Sequence, residues 1–194
     1  GFSDVTTILM HAYFKYNISC IHGPMPYNLK KTDKESQIRI INLLKGKKEN
    51  ITTSFHSLNI EGIGHGKIIG GNLSIICSLI GSPSFPVLEE DYVLFIEDID
   101  EYLYQLDRML HMLDRANILK KIRGLIVGQM THVMDNEIGF GQTAYELIHN
   151  ITKKYNYPVC FDFPIGHEEK NYSIMIGREI RLEVNALVSQ LHYE

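Results

Sequence analysis

The sequence has only three cysteines, no C-x-x-C pair, no excess of positive charge, and no apolar run near the roughly 20 residues a membrane helix needs. Cys20, Cys77 and Cys160 are odd in number and far apart, so neither a disulfide framework nor a zinc knuckle is expected. All three sit in apolar runs, where a thiol serves as a small core residue, and this usage fits a reducing cytoplasm. The net charge of −4 offers no general attraction to nucleic acid or an anionic membrane surface. The nine histidines include no H-E-x-x-H and no paired metal spacing, so no metal or other cofactor is expected. There is no repeat, no low-complexity segment and no signal-peptide pattern, and the chain opens on Gly1 rather than Met.

What is present is the composition of a soluble globular protein, 44% apolar and 22% charged over 194 residues. That length buries a sizeable core as one domain or one and a fraction. A helix is expected over residues 5–16, then a short strand in "ISCIHGPM" ending at Gly23-Pro24. "TDKESQIRIINLLKG" reads as a helix, with Thr32 and Glu35 as a capping box, Ile38, Ile41 and Leu44 at helical spacing, and Gly46 closing it. "KGKKEN" is polar and reads as a linker. Alternation begins after residue 50. "SFHSLNIEG" is strand-like, and "GKIIGGNLSIICSLIGSP" is a strand, a glycine turn at Gly70-Gly71 and a helix capped by Asn72. "YVLFIED" is a strand, and residues 101–124 form one long helix with Leu106, Met109, Leu110 and Leu113 on its apolar face. "GLIVGQM" is a strand, "GQTAYELIHNITKKYN" a helix, and "YPVCFDFPIGH" a strand entering a loop. "SIMIGREIRLEVN" is a hairpin turning at Gly177-Arg178. Strands alternating with helices predict an α/β fold around a largely parallel sheet with a terminal hairpin.

Few residues in this pattern carry chemistry. The glycines of "GIGHGKIIGG" fit neither G-x-G-x-x-G nor G-x-x-x-x-G-K-[ST], so close backbone packing explains them better than a phosphate cradle. "GFSDV" is half of a G-x-S-x-G nucleophile elbow, with Val5 where the final glycine belongs, and Ser3-Asp4 reads as a helix cap instead. Cys160 lies inside an apolar strand, as an unactivated thiol. His65, His132 and His149 read as solvated or structural, whereas His22 and His167 end apolar strands at glycine turns, where functional side chains are often placed. Glu97 is different. "VLFI" runs straight into it with no turn residue, so it ends a core strand, and carboxyl ends of strands gather functional groups in α/β sheets. Glu97 and His167 together make two-thirds of a hydrolase triad, the carboxylate fixing the tautomer and stabilising the imidazolium. Asp98, Asp100 and Glu101 are expected at the start of the next helix, where its dipole favours negative charge.

Taken in order, "GFSDVT", "HGPM", "GKIIGGNLSIICSLIGSP", "LFIEDIDEYLYQLDRML", "GLIVGQM", "PVCFDFPIGH" and "IGREIRLEVN" resemble the LD-carboxypeptidase family of serine peptidases, which also includes the microcin-immunity peptidases. The resemblance runs over almost the whole chain. It implies a two-domain α/β enzyme with a Ser–His–Glu triad, in which the glutamate maps to Glu97 and the histidine to His167. It also implies a division of the chain: residues 1–30 as the end of an N-terminal nucleophile domain, 31–60 as helix and linker, and 61–194 as the C-terminal domain. The nucleophilic serine is expected on a Gly-rich turn upstream of "GFSDVT", outside this chain, which alone is then expected to be inactive.

The implied activity is a cytoplasmic serine carboxypeptidase that releases terminal D-Ala from murein tetrapeptides in peptidoglycan recycling. Its partners would be the murein peptide, the missing N-terminal domain and a second copy of the chain in a homodimer, with neither nucleic acid nor membrane. Two alternatives stand beside it: an immunity peptidase cleaving an aminoacyl- or peptidyl-nucleotide, and a non-catalytic binding or dimerisation module.

Overall fold

The computed structural model describes residues 1–194. After a 3-10 turn at Ser3–Val5, the elements are α1 (Thr6–Tyr16), β1 (Cys20–His22), a second 3-10 turn at Leu29–Lys31, α2 (Lys34–Leu44), β2 (Ile51–Ser54), β3 (Gly62–Asn72) and α3 (Leu73–Leu79). They continue as β4 (Tyr92–Ile99), α4 (Leu103–Arg115), α5 (Ile118–Lys121), β5 (Gly124–Thr131), α6 (Ala144–Thr152), β6 (Val159–Cys160), β7 (Ile174–Ile176), β8 (Glu179–Val184) and β9 (Val188–Tyr193). No helix is long and apolar enough to cross a membrane.

The α/β fold expected from the sequence is present. Seven strands form one sheet in the order β2-β9-β8-β3-β4-β5-β6. The β3, β4, β5 and β6 run is parallel, and the β8–β9 hairpin with β2 extends it in antiparallel fashion. The sheet curls back on itself. Ile60, in the segment leaving β2, exchanges both backbone hydrogen bonds with Val159 of β6, at 2.9 and 3.0 Å. The Asn59 side chain reinforces this closure by accepting from Phe161 N (2.9 Å) and donating to Ser189 Oγ (3.1 Å). β4 is an interior strand, between β3 and β5, and Tyr92 through Asp98 are buried in it. α4 buries Leu103, Leu106, Leu110 and Leu113, one face of a 3.6-residue helix. Each of these leucines contributes about 1.5–3 kcal/mol relative to exposure.

Several local expectations are corrected. The cap of α2 is Asp33, which accepts from Ser36 N at 2.7 Å, whereas Thr32 donates to Asn28 O. The strand read in "SFHSLNIEG" lies earlier, at Ile51–Ser54. Gly70 and Gly71 form no turn: β3 runs through both to Asn72, which caps α3 by accepting from Ile75 N. A Cβ on Gly70 would stand 1.9 Å from Phe95 O, so these glycines serve close packing, not phosphate binding. The long helix breaks at Asn117, which adopts φ +60, into α4 and α5. Gly177 does turn the chain, at φ +81, yet β7 and β8 do not pair. β7 joins β1 in a separate two-stranded sheet, and the terminal hairpin is β8–β9.

Candidate active site

Glu97 lies inside β4, two residues before its end. Its register is unusual. Ile96 pairs with Val127 and Asp98 with Met130, so Glu97 alone faces Gly128 and Gln129 of β5 across a bulge. Gly128 makes this possible, since a Cβ there would lie 2.4 Å from Ile165 O and 3.1 Å from Glu97 Cβ. Glu97 is wholly buried, and its Oε2 accepts a hydrogen bond from His167 Nδ1 at 2.7 Å. An ionised carboxylate only accepts, so Nδ1 carries the proton and Nε2 is left as the basic nitrogen. Burial holds the Glu97 carboxyl above the usual carboxylate range; the bond to His167 opposes that rise and Asp98 adds to it. Glu97 Oε1 has no protein partner.

His167 sits on the loop after β6, held from both sides by Gln129. Gln129 N donates to Ile165 O (2.9 Å), its Oε1 accepts from Glu168 N (3.3 Å), and its Nε2 donates to Lys170 O (3.1 Å). The His167 side chain is 12% exposed, so it reaches solvent while its partner does not. The Phe2 ring packs edge-on against it, with centroids 4.7 Å apart. The expected meeting of Glu97 and His167 is therefore observed.

Ser3 departs from its expected role. Gly1 runs parallel beside β1, bonding Ile21 O through its nitrogen (3.1 Å) and Gly23 N through its oxygen (3.0 Å). Phe2 continues extended, and then Ser3 reverses the chain at φ +58 into the turn that opens α1. Neither Ser3 nor Asp4 caps by its side chain: the cap positions are Phe2 and Val5, and neither makes a side-chain cap bond. A positive-φ serine between an extended segment and a helix resembles the geometry of a nucleophile elbow. The close approach that the motif's glycines permit is present too, because a Cβ on Gly1 would lie 2.6 Å from Val5 Cγ1. Phe2, which touches His167, is the residue immediately before Ser3. The half-motif G-x-S was the available signal, and the missing second glycine hid it.

His22, at the end of β1, is fully buried against Phe95 (centroids 4.9 Å apart) and near Phe2 (6.4 Å). Neither ring nitrogen has a partner, and burial drives its pKa down to about 3. It is therefore a neutral imidazole beneath the site.

The other candidates lie elsewhere. Asp98 is not at the start of α4. It is buried in β4, where its carboxylate accepts from Asn72 Nδ2 (2.7 Å) and Ser74 N (2.9 Å) and so holds the first turn of α3. Asp100 is in a bend at φ +59, near His132. Cys160 is buried, its thiol pushed up by desolvation, and burial likewise raises Cys77 to about 12. His65 meets Glu194, and His149 bonds the Leu58 carbonyl.

Comparison with known proteins identifies the family of the chain. Residues 65–182 match the model of the LD-carboxypeptidase C-terminal domain. The "Probable murein peptide carboxypeptidase" of Bacillus subtilis is 26% identical over 91% of the chain, and the "Murein tetrapeptide carboxypeptidase" of Pseudomonas aeruginosa is 24% identical over 96%. The chain spans 57% and 63% of those relatives' lengths. The crystal structure of a muramoyltetrapeptide carboxypeptidase from Oxalobacter formigenes superposes with a TM-score of 0.89 at 24% identity, covering the whole chain and 66% of that protein, which shows the shared fold. A bulged strand carrying a buried glutamate, a loop carrying its histidine partner and a family match over most of the chain converge: the chain belongs to the LD-carboxypeptidase family.

Proposed function

We propose that the chain supplies the reacting groups of a serine carboxypeptidase, with Ser3 as nucleophile, His167 as general base and acid, and Glu97 as the carboxylate that orients His167. The observation that carries this is the 2.7 Å bond from His167 Nδ1 to the buried Glu97, with Phe2, the neighbour of the positive-φ Ser3, packed on the His167 ring. Ser3 Oγ attacks the scissile carbonyl while His167 Nε2 takes its proton. The backbone N–H of Asp4, the residue after the nucleophile, faces the developing oxyanion, and such a donor is worth on the order of 3 kcal/mol. His167 then returns the proton to the leaving amine, and water, deprotonated by His167, releases the acyl group from Ser3. No step in this sequence draws on a metal or a bound cofactor. The substrate proposed is a murein tetrapeptide losing its terminal D-Ala, in line with the names of the relatives, and the compartment proposed is the cytoplasm.

The test is D-Ala release from a murein tetrapeptide by the protein carrying this chain. Ser3→Ala is expected to lower turnover about a million-fold, as for other triad serines. Glu97→Gln, which folds but cannot stabilise the imidazolium, is expected to lower it on the order of ten-thousand-fold. Undiminished activity in Ser3→Ala would move the nucleophile to a serine outside these residues and restore the sequence expectation that the chain alone is inactive. Preferential hydrolysis of an aminoacyl-sulfamoyl adenosine would change the substrate class and leave the residue roles intact. A folded protein that cleaves neither would favour a binding module.

A further inference from the structure

A pocket of about 310 Å³ opens directly on His167, lined also by Phe2, Asn28, Lys31 and Asn171. Resting on the peptidase reading above, we propose that this pocket receives the leaving C-terminal residue of the substrate, and that Lys31 binds its carboxylate.

The chemistry sets the direction. The nitrogen that leaves must lie within reach of His167 Nε2, which gives it a proton. The residue attached to that nitrogen therefore occupies the space touching His167. Before cleavage its nitrogen is an uncharged amide, so its one charge is the terminal carboxylate. Burying that charge requires a cation. Lys31 is the one lysine or arginine lining the pocket. Glu168 and Glu169 line it too, yet none of the chain's ion pairs uses Lys31, so the ammonium is free for a ligand.

The wall that carries Lys31 is built, not loose. Gln37 Nε2 donates to both Leu29 O (2.8 Å) and Thr32 O (2.7 Å), clasping the Leu29–Lys31 turn from α2. Thr32 Oγ1 ties back to Asn28 O at 3.0 Å. Two bonds then fasten this segment to the loop of His167: Asp33 N to Glu169 O (2.9 Å) and Asn171 N to Ser36 Oγ (3.0 Å). Lys31 and His167 thus stand on two walls bonded to each other, the preorganisation a carboxylate subsite needs. At the same wall, Asn28 Oδ1 is buried with no partner.

The experiment compares kcat and KM for a tetrapeptide and its C-terminal amide in the wild type, Lys31→Ala and Lys31→Arg, with calorimetric titration of N-acetyl-D-alanine and its amide alongside. Lys31 is exposed, so both variants are expected to fold. A charge-assisted bond predicts that Lys31→Ala raises KM for the free acid about 10- to 100-fold, leaves kcat and the amide nearly unchanged, and that Lys31→Arg retains most of the preference. A preference for the acid that survives Lys31→Ala overturns the assignment while the peptidase reading stands. If the wild type cleaves neither peptide, yet binds N-acetyl-D-alanine in a manner that needs Lys31, the peptidase reading fails and the carboxylate site remains. If it neither cleaves nor binds, both fail.

Discussion

His22 is the side chain whose burial has the clearest consequence. Its neutral imidazole has no partner, and its pKa falls from 6.5 to about 3 on folding because burial penalises the charged form. The sign follows from proton counting. Between those values the unfolded chain binds a proton that the folded chain excludes, so stability falls as pH falls from about 6.5 towards 3. The slope is roughly 1.4 kcal/mol per pH unit for one proton. Replacing His22 with Gln is expected to remove about one proton from this slope, measured as denaturant unfolding at several pH values. An unchanged slope would mean that other groups carry the acid sensitivity. Glu97 acts in the opposite sense, since its raised pKa makes the folded state hold a proton more tightly and stability decline as pH rises through that range. Glu97 and His167 were both legible as candidates, because a carboxylate closing an apolar run and a histidine after Pro-Ile-Gly are visible in one dimension, and the structure brings the two into hydrogen bond. The cap assigned to Ser3 was not correct, because a positive φ leaves no mark on residue type when the residue is serine.

Among the elements, the β4–β5 bulge matters most. It gives Glu97 two opposing residues, and Gly128 supplies the room against Ile165 O. Gly128→Ala sets a methyl against a backbone carbonyl that cannot swing aside. It is expected to cost about 1–3 kcal/mol of stability. It should also lower kcat by about a hundredfold, because a displacement near 1 Å misaligns the pair. Thermal unfolding and steady-state kinetics on one preparation check both. Full activity in the variant would show that the bulge does not position Glu97. Helices α1 and α6 were expected where they occur, the capping box of α6 from Thr143 and Glu146 is a finding of the structure, and α4 was readable from its apolar period. The break at Asn117 was not, since an apolar period continues across it. The β7–β8 turn was readable while the pairing was not, because β7 finds β1, more than a hundred residues away in the chain.

For the molecule as a whole, the apolar surface asks for a partner. Ile38, Ile41 and Leu44 of α2 are 58%, 48% and 72% exposed, and Ile8, Tyr16 and Ile18 in and after α1 are also open. Patches of this kind drive association. The homodimer is accordingly proposed as a concentration-dependent self-association, visible by sedimentation velocity and weakened by Ile38→Lys with Leu44→Lys. A monomer at all accessible concentrations would remove the second copy from the list of partners. Residues 1–30 meanwhile pack onto the rest of the chain: β1 pairs with β7, and the Thr6 hydroxyl accepts from Asn72 N at 3.2 Å.

Class, element order and family were written locally. They depend on alternation, helical period, turn residues and short motifs, all of which act over a few residues and survive in one dimension. So did the identity of Glu97 and His167. The 2.7 Å bond between them was decided in three dimensions, as were the bulge that aims Glu97, the elbow that strains Ser3 and the orphan imidazole of His22. These features arise where the curled sheet brings β1, β4, β5 and the His167 loop together. Contacts between segments far apart in sequence there outweigh the local preferences of each residue, by close backbone approach at Gly128 and by desolvation at Glu97 and His22.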